Sequence, residues 1–221
     1  MINTLIVPGL DGSAAPHWQH WWAARDPHAL TVELSDPHRP VAAVWEVELA
    51  SMILAHPDCV LVGHSLGAVL ISRVLTQWPH LRVAGALLVT PAETAGADRI
   101  GHFGPIPEAV LDLPVIVAAS RNDPWMSFAR AAQLSRAWGA DLVDLGFVGH
   151  MNAAAGFGPW EEGRQLRNQL LAEAQAPYPA AIASAGLAAA HLGRAPGQAG
   201  RDGAERWSDS RGFGGARGAV A

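Results

Sequence analysis

From Asn3 to about residue 174 the chain alternates short apolar runs with stretches of helical periodicity. The apolar runs are Asn3–Val7, Leu30–Leu34, Cys59–Val62, Val83–Val89, Val115–Ala119 and Asp141–Leu145. Several are nearly continuous in Val, Leu and Ile, the pattern of strands buried on both faces. Between them lie helical patterns over His17–Arg25, Val41–Ala55, Ala68–Trp78, Ser127–Trp138 and Trp160–Glu173. In the second of these, Val41, Trp45, Leu49, Met52 and Ile53 recur at helical spacing, with Glu46 and Glu48 interleaved. Strand alternating with helix predicts an α/β fold, a parallel sheet covered on both faces. In such sheets the functional site lies beyond the carboxyl ends of the strands.

The rest of the chain bounds this reading. Its 221 residues suit one domain of about 174 residues followed by a tail. From Gln175 to Ala221, 14 of 47 residues are Ala and 9 are Gly. Such a segment buries too little surface to offset its ordering entropy, so it is expected to be mostly disordered. The single cysteine, Cys59, rules out an internal disulfide and a Cys-based zinc cluster. A net charge of −5 argues against a nucleic-acid partner. No apolar run approaches the ~18 residues of a membrane span, and the N-terminus lacks the basic and apolar regions of a signal peptide. A cytoplasmic protein working in a reducing compartment is expected.

The third run leads into Gly63-His64-Ser65-Leu66-Gly67 and then a helical stretch. G-x-S-x-G between strand and helix is the nucleophile-elbow pattern: the turn strains the central residue and lifts the serine Oγ clear of the sheet. A serine hydroxyl is a weak nucleophile without a general base, and the base needs a carboxylate to fix its tautomer. The fifth run ends in Ser120-Arg121-Asn122-Asp123-Pro124, and the sixth in Gly146-Phe147-Val148-Gly149-His150. Ser65, Asp123 and His150 therefore fall in the order nucleophile, acid, base used by hydrolases of this architecture, each after a strand. Taken singly, Ser65 could occupy a plain tight turn, Asp123 a helix cap or Asx-turn, and His150 an ordinary loop. His17 and His20 open the first helix, His64 is held by the elbow, and His102 lies in a Gly/Pro-rich loop. These fit the base role less well. For a developing oxyanion, the backbone N–H of Leu66 is one donor. Leu10, in Pro8-Gly9-Leu10-Asp11-Gly12-Ser13, holds the second donor position.

With Val7-Pro8-Gly9, His17-Trp18-Gln19, the Gly63–Gly67 elbow, Ser120–Pro124, Gly149-His150-Met151-Asn152 and Gly158-Pro159-Trp160, the chain resembles one branch of the α/β-hydrolase superfamily. That branch is the small serine hydrolases grouped with retinoblastoma-binding protein 9 and YdeN. The resemblance implies a compact sheet of six parallel strands in the order 2-1-3-4-5-6. It implies Ser65 as nucleophile, Asp123 as acid and His150 as base, with no cofactor and no metal. It does not extend to an L-x-C-x-E partner motif, because the only cysteine lies in Pro57-Asp58-Cys59-Val60-Leu61. The tail has no counterpart in it.

The expected chemistry is cleavage of small carboxylic esters, or of thioesters and activated amides, through an acyl-enzyme. A binding module on a hydrolase scaffold is the alternative, and the chemically competent residue at every catalytic position argues against it. The linker from Thr90-Pro91 to Leu113-Pro114 is too short for a large cap domain, and suits a small lid carrying Phe103, Pro105 and Ile106. Trp18, Phe103, Trp125 and Met151 are the candidate pocket walls. Most of the nine Trp residues are expected in the core or at interfaces.

Overall fold

The computed structural model describes residues 2–175. The tail expected to be disordered lies, from residue 176 on, outside the described residues. The elements are β1 (Thr4–Val7), α1 (Trp18–Arg25), β2 (Ala29–Thr31), α2 (Ala42–Ala55), β3 (Cys59–His64) and α3 (Leu66–Gln77). They continue with β4 (Val83–Val89), β5 (Val115–Ala119), α4 (Phe128–Trp138), β6 (Asp141–Asp144) and α5 (Glu161–Gln175). The six strands form one parallel sheet in the order β2-β1-β3-β4-β5-β6. This is the order that the resemblance implies.

Apolar runs buried on both sides explain the sheet's centre. Successive side chains of a strand point to opposite faces. On one face Leu5, Val7, Leu61, Leu88 and Val117 meet Trp45 and Leu49 of α2, Leu70 of α3 and Trp138 of α4. On the other, Ile6, Val62, Leu87, Val89 and Ile116 meet Trp18 and Trp22 of α1, Trp160, and Leu170 of α5. The edge strands are weaker. β2 spans three residues, not the five of Leu30–Leu34, and β6 is largely exposed. Each has one neighbour in the sheet, so fewer ladder bonds and less burial hold its ends.

The chain leaves β1 toward β2, then returns through α2 to place β3 on the other side of β1. The loops after β1 and β3 therefore diverge, and a crevice opens between them at the carboxyl ends of the strands. The linker between β4 and β5 forms no cap domain: its regular structure is a single 3-10 turn, Gly101–Phe103. Phe103 and Ile106, expected on a lid, are buried in the core, with Phe103 edge-on to Trp45. Hydrogen bonds from Thr94 Oγ1 to the Gly104 carbonyl (2.6 Å), from His102 Nε2 to that of Pro40 (2.7 Å) and from Trp138 Nε1 to that of Pro107 (2.7 Å) hold the linker down. Pro105 is left exposed on the surface.

Candidate active site

Ser65 stands between the last residue of β3 and the first of α3, with φ 57° and ψ −122°. A non-glycine residue there is strained by roughly 1–3 kcal/mol. The turn is held on both sides: the Ser65 N–H donates to the Val89 carbonyl (3.0 Å), and its carbonyl accepts from the Ala68 N–H (3.1 Å). Two glycines let the β1 loop press against this turn. A Cβ on Gly67 would stand 2.3 Å from the Val7 carbonyl oxygen, and one on Gly9 would stand 3.0 Å from Ser65 Cβ. Leu10 is thereby brought beside the elbow. Neither the Leu10 nor the Leu66 N–H has a hydrogen-bond partner among the described residues. Leu66 also opens α3, where the helix dipole favours negative charge.

The loops after β5 and β6 bring two more side chains to this point. His150 Nε2 lies 2.8 Å from Ser65 Oγ, and His150 Nδ1 lies 2.9 Å from each Asp123 carboxylate oxygen. Both side chains are almost wholly buried, which strengthens these bonds. With Asp123 ionised, Nδ1–H is the donor to it, and Nε2 is left to accept the Ser65 hydroxyl proton. Asp123 Oδ1 also accepts the Trp125 N–H at 2.8 Å.

Two residues that the sequence reading did not single out tie the two loops together. Asn122 Oδ1 accepts from the Gly149 N–H (2.8 Å) and from Ser120 Oγ–H (2.9 Å). Ser120 Oγ in turn accepts from the Val148 N–H (3.2 Å). Both lie within Ser120–Pro124, but the amides they hold, Val148 and Gly149, follow the next strand.

A cleft of about 320 Å³ surrounds Ser65 and His150. Its walls are the β1 loop over residues 10–17, Ile100, Trp125 and the Asn152–Ala154 turn. Of the four expected wall residues, Trp125 alone lines it, 48% exposed. Trp18, Phe103 and Met151 are fully buried in the two core clusters, where large apolar side chains lose the most water contact. The cleft instead takes smaller residues of the β1 loop, which no periodicity marks.

Charged groups at the rim satisfy one another. Arg99 binds Asp11 through both oxygens (2.7 and 2.8 Å) and the His38 carbonyl (3.0 Å), and His38 Nδ1 lies 2.8 Å from Asp11. The Arg99 guanidinium holds the Asp11 carboxyl down at about 2. Deeper in, His17 and His64 are buried, and burial holds both imidazoles neutral, His17 at about 4 and His64 well below its ordinary 6.5. Cys59 is buried in β3, where desolvation pushes its thiol up to about 12, so it supplies no thiolate at neutral pH. Among the described residues no group of three or more His, Cys, Asp or Glu could hold a metal, and no helix is long and apolar enough to cross a membrane.

The sequence model of the serine hydrolase family matches residues 4–169. The chain is similar to the solved structure of a putative YdeN-like hydrolase from Pectobacterium atrosepticum, at 34% identity and a TM-score of 0.70, over 78% of this chain and 92% of that one. It is also similar to the ydeN gene product of B. subtilis, at 21% identity and a TM-score of 0.61, over 78% of this chain and 100% of that one. Est1E from Butyrivibrio proteoclasticus, solved with ferulic acid bound, shares the fold at 11% identity and a TM-score of 0.61, over 78% of this chain and 90% of that one. Among curated proteins no significant match is found.

Proposed function

The chain belongs to the serine hydrolase family, and on that premise we propose that it cleaves small carboxylic esters through a Ser65–His150–Asp123 triad and an acyl-enzyme. The observation that carries this reading is the unbroken hydrogen-bonded path from Asp123 through His150 to Ser65 Oγ, beside two backbone amides that have no partner among the described residues. His150 Nε2 takes the Ser65 proton as Oγ adds to the ester carbonyl. The Leu66 and Leu10 N–H groups receive the oxyanion, and Asp123 steadies the imidazolium. His150 then protonates the departing alcohol, and water repeats the cycle to release the acid.

The walls of the cleft favour a short, uncharged acyl group. Leu10, Ile100 and Trp125 are apolar, while Asp11 and Arg99 neutralise each other at the rim. The test is labelling of the purified full chain with a fluorophosphonate, beside Ser65→Ala and His150→Ala. Labelling lost in both variants is expected. A folded wild-type protein that does not label refutes the reading. In a p-nitrophenyl ester series, kcat/KM is expected to peak at short acyl chains, and a peak at long chains overturns the substrate class.

A further inference from the structure

We propose that His64, the residue before the nucleophile, is a positioning residue: its imidazole N–H holds the main-chain carbonyl of His150 and so keeps the base on Ser65. This rests on the hydrolase reading above.

The segment that carries His150 has little regular structure of its own. β6 ends at Asp144, and a 3-10 turn at Ala153–Ala155 follows His150. The residues flanking His150, Gly149 and Met151, both take left-handed backbone conformations, with φ 63° and 54°. A base must nonetheless be held to roughly 0.5 Å of its productive place. Asp123 fixes the imidazole ring from one side, and Asn122 and Ser120 hold the N–H groups of Gly149 and Val148 just before it, which leaves the carbonyls of His150 and Met151 to be held.

Three side chains from three other elements do this. His64 Nε2, at the end of β3, lies 2.8 Å from the His150 carbonyl oxygen. Thr90 Oγ1–H, just past β4, donates to the same oxygen at 3.2 Å. Trp18 Nε1–H, at the start of α1, donates to the next carbonyl, Met151, at 2.9 Å. A carbonyl oxygen has two acceptor sites, and at His150 both are filled. Of the three donors His64 makes the shortest bond, and it alone adjoins the nucleophile in sequence. Elbow and base are thereby tied through a second connection besides the Ser65–His150 bond.

The chemistry fixes the tautomer. A carbonyl only accepts, so His64 Nε2 must carry the proton. Burial keeps the ring neutral, which gives it that one proton. The His17 ring stands edge-on at 4.8 Å between centroids, the Trp18 ring lies at 6.1 Å, and the His150 ring lies at 5.0 Å.

The experiment compares His64→Leu, which removes the donor, with His64→Gln, whose side-chain amide can still donate. Activity is read on a p-nitrophenyl ester and by fluorophosphonate labelling, and folding by thermal melting. His64→Leu is expected to lower kcat about 10- to 100-fold with KM within about twofold, because a base about 1 Å out of place costs on that order. His64→Gln is expected to recover most of that loss. Should His64→Leu not fold, His64→Asn, whose shorter amide falls short of the His150 carbonyl, carries the same expectation of lowered kcat at unchanged KM, and wild-type kcat in it overturns the proposal. A folded His64→Leu with wild-type kcat overturns the proposal, as do equal losses in Leu and Gln variants. Were the wild-type protein inactive, the hydrolase reading would fall, and proton NMR would still decide this one. The downfield Nδ1–H signal of His150 is expected to broaden in His64→Leu, and an unaltered signal refutes positioning.

Discussion

Acidification from pH 7 to pH 4.5 tests the buried histidine at the cleft's edge. His17 is 5% exposed. Its Nδ1 accepts the Gln19 N–H at 3.1 Å and caps α1, and its Nε2 is buried without a hydrogen-bond partner among the described residues. Burial, with a smaller push from His150 nearby, lowers its pKa from 6.5 to about 4. In the unfolded chain it returns to the ordinary value. Between these two values the unfolded state binds the proton and the folded state does not, so stability falls as pH drops below 6.5 and levels off below about 4. Two and a half pH units at about 1.4 kcal/mol each put the full effect at about 3.5 kcal/mol, and about 2–3 kcal/mol is reached by pH 4.5. Against a typical total of roughly 5–15 kcal/mol this is a large share. His64 works in the same direction, so the His17 part is isolated by His17→Asn, whose side-chain oxygen still caps the Gln19 N–H but does not titrate. Urea denaturation of both proteins between pH 7 and pH 4.5 reads the difference. The wild type is expected to lose about 2–3 kcal/mol more than the variant over that range. Parallel profiles would refute the claim that His17 is folded in as a neutral imidazole.

Three further perturbations probe the frame around the site. Asn122→Ala strips the acceptor from the Gly149 N–H and from Ser120 Oγ; a stability loss of about 1 kcal/mol and slower fluorophosphonate labelling are expected, measured by urea denaturation and by labelling rate. Gly67→Ala puts a Cβ 2.3 Å from the Val7 carbonyl oxygen, backbone that cannot swing aside; a loss of about 3 kcal/mol is expected, and an unchanged urea midpoint would contradict the close packing of elbow on β1 loop. Arg167 is buried, donating to Thr4 Oγ1 (2.7 Å) and Asp26 Oδ2 (2.8 Å). Arg167→Met takes the guanidinium from the Asp26 carboxylate, which keeps the His28 N–H, at a cost of about 2 kcal/mol, and adding Asp26→Asn is expected to return part of the lost melting temperature.

The local pattern of the chain was enough for the architecture. A strand buried on both faces must be apolar along its whole length, and β3, β4 and β5 carry that signature between helical stretches, so the centre of the sheet was legible, while the strand order came from the family resemblance. Ser65, Asp123 and His150 were legible for a related reason. Each follows a strand, and a parallel sheet delivers all such residues to one end, where the structure brings the three within hydrogen-bond distance. The ends of β2 were not legible, because an edge strand's extent depends on the one neighbour that it pairs with. Nor was the fate of Phe103 and Ile106, whose place in the core is decided by packing with residues distant in sequence, Trp45 of α2 against Phe103 among them, rather than by their own stretch of chain. Trp18 and Met151 illustrate the same limit: a large apolar residue looks alike in sequence whether it lines a cleft or lies beneath one. The donors to the His150 and Met151 carbonyls, His64, Thr90 and Trp18, lie 86, 60 and 133 residues from their partners. Local periodicity records which face of an element avoids water; which donor meets which carbonyl is set only when those elements pack, and that was left to the tertiary structure.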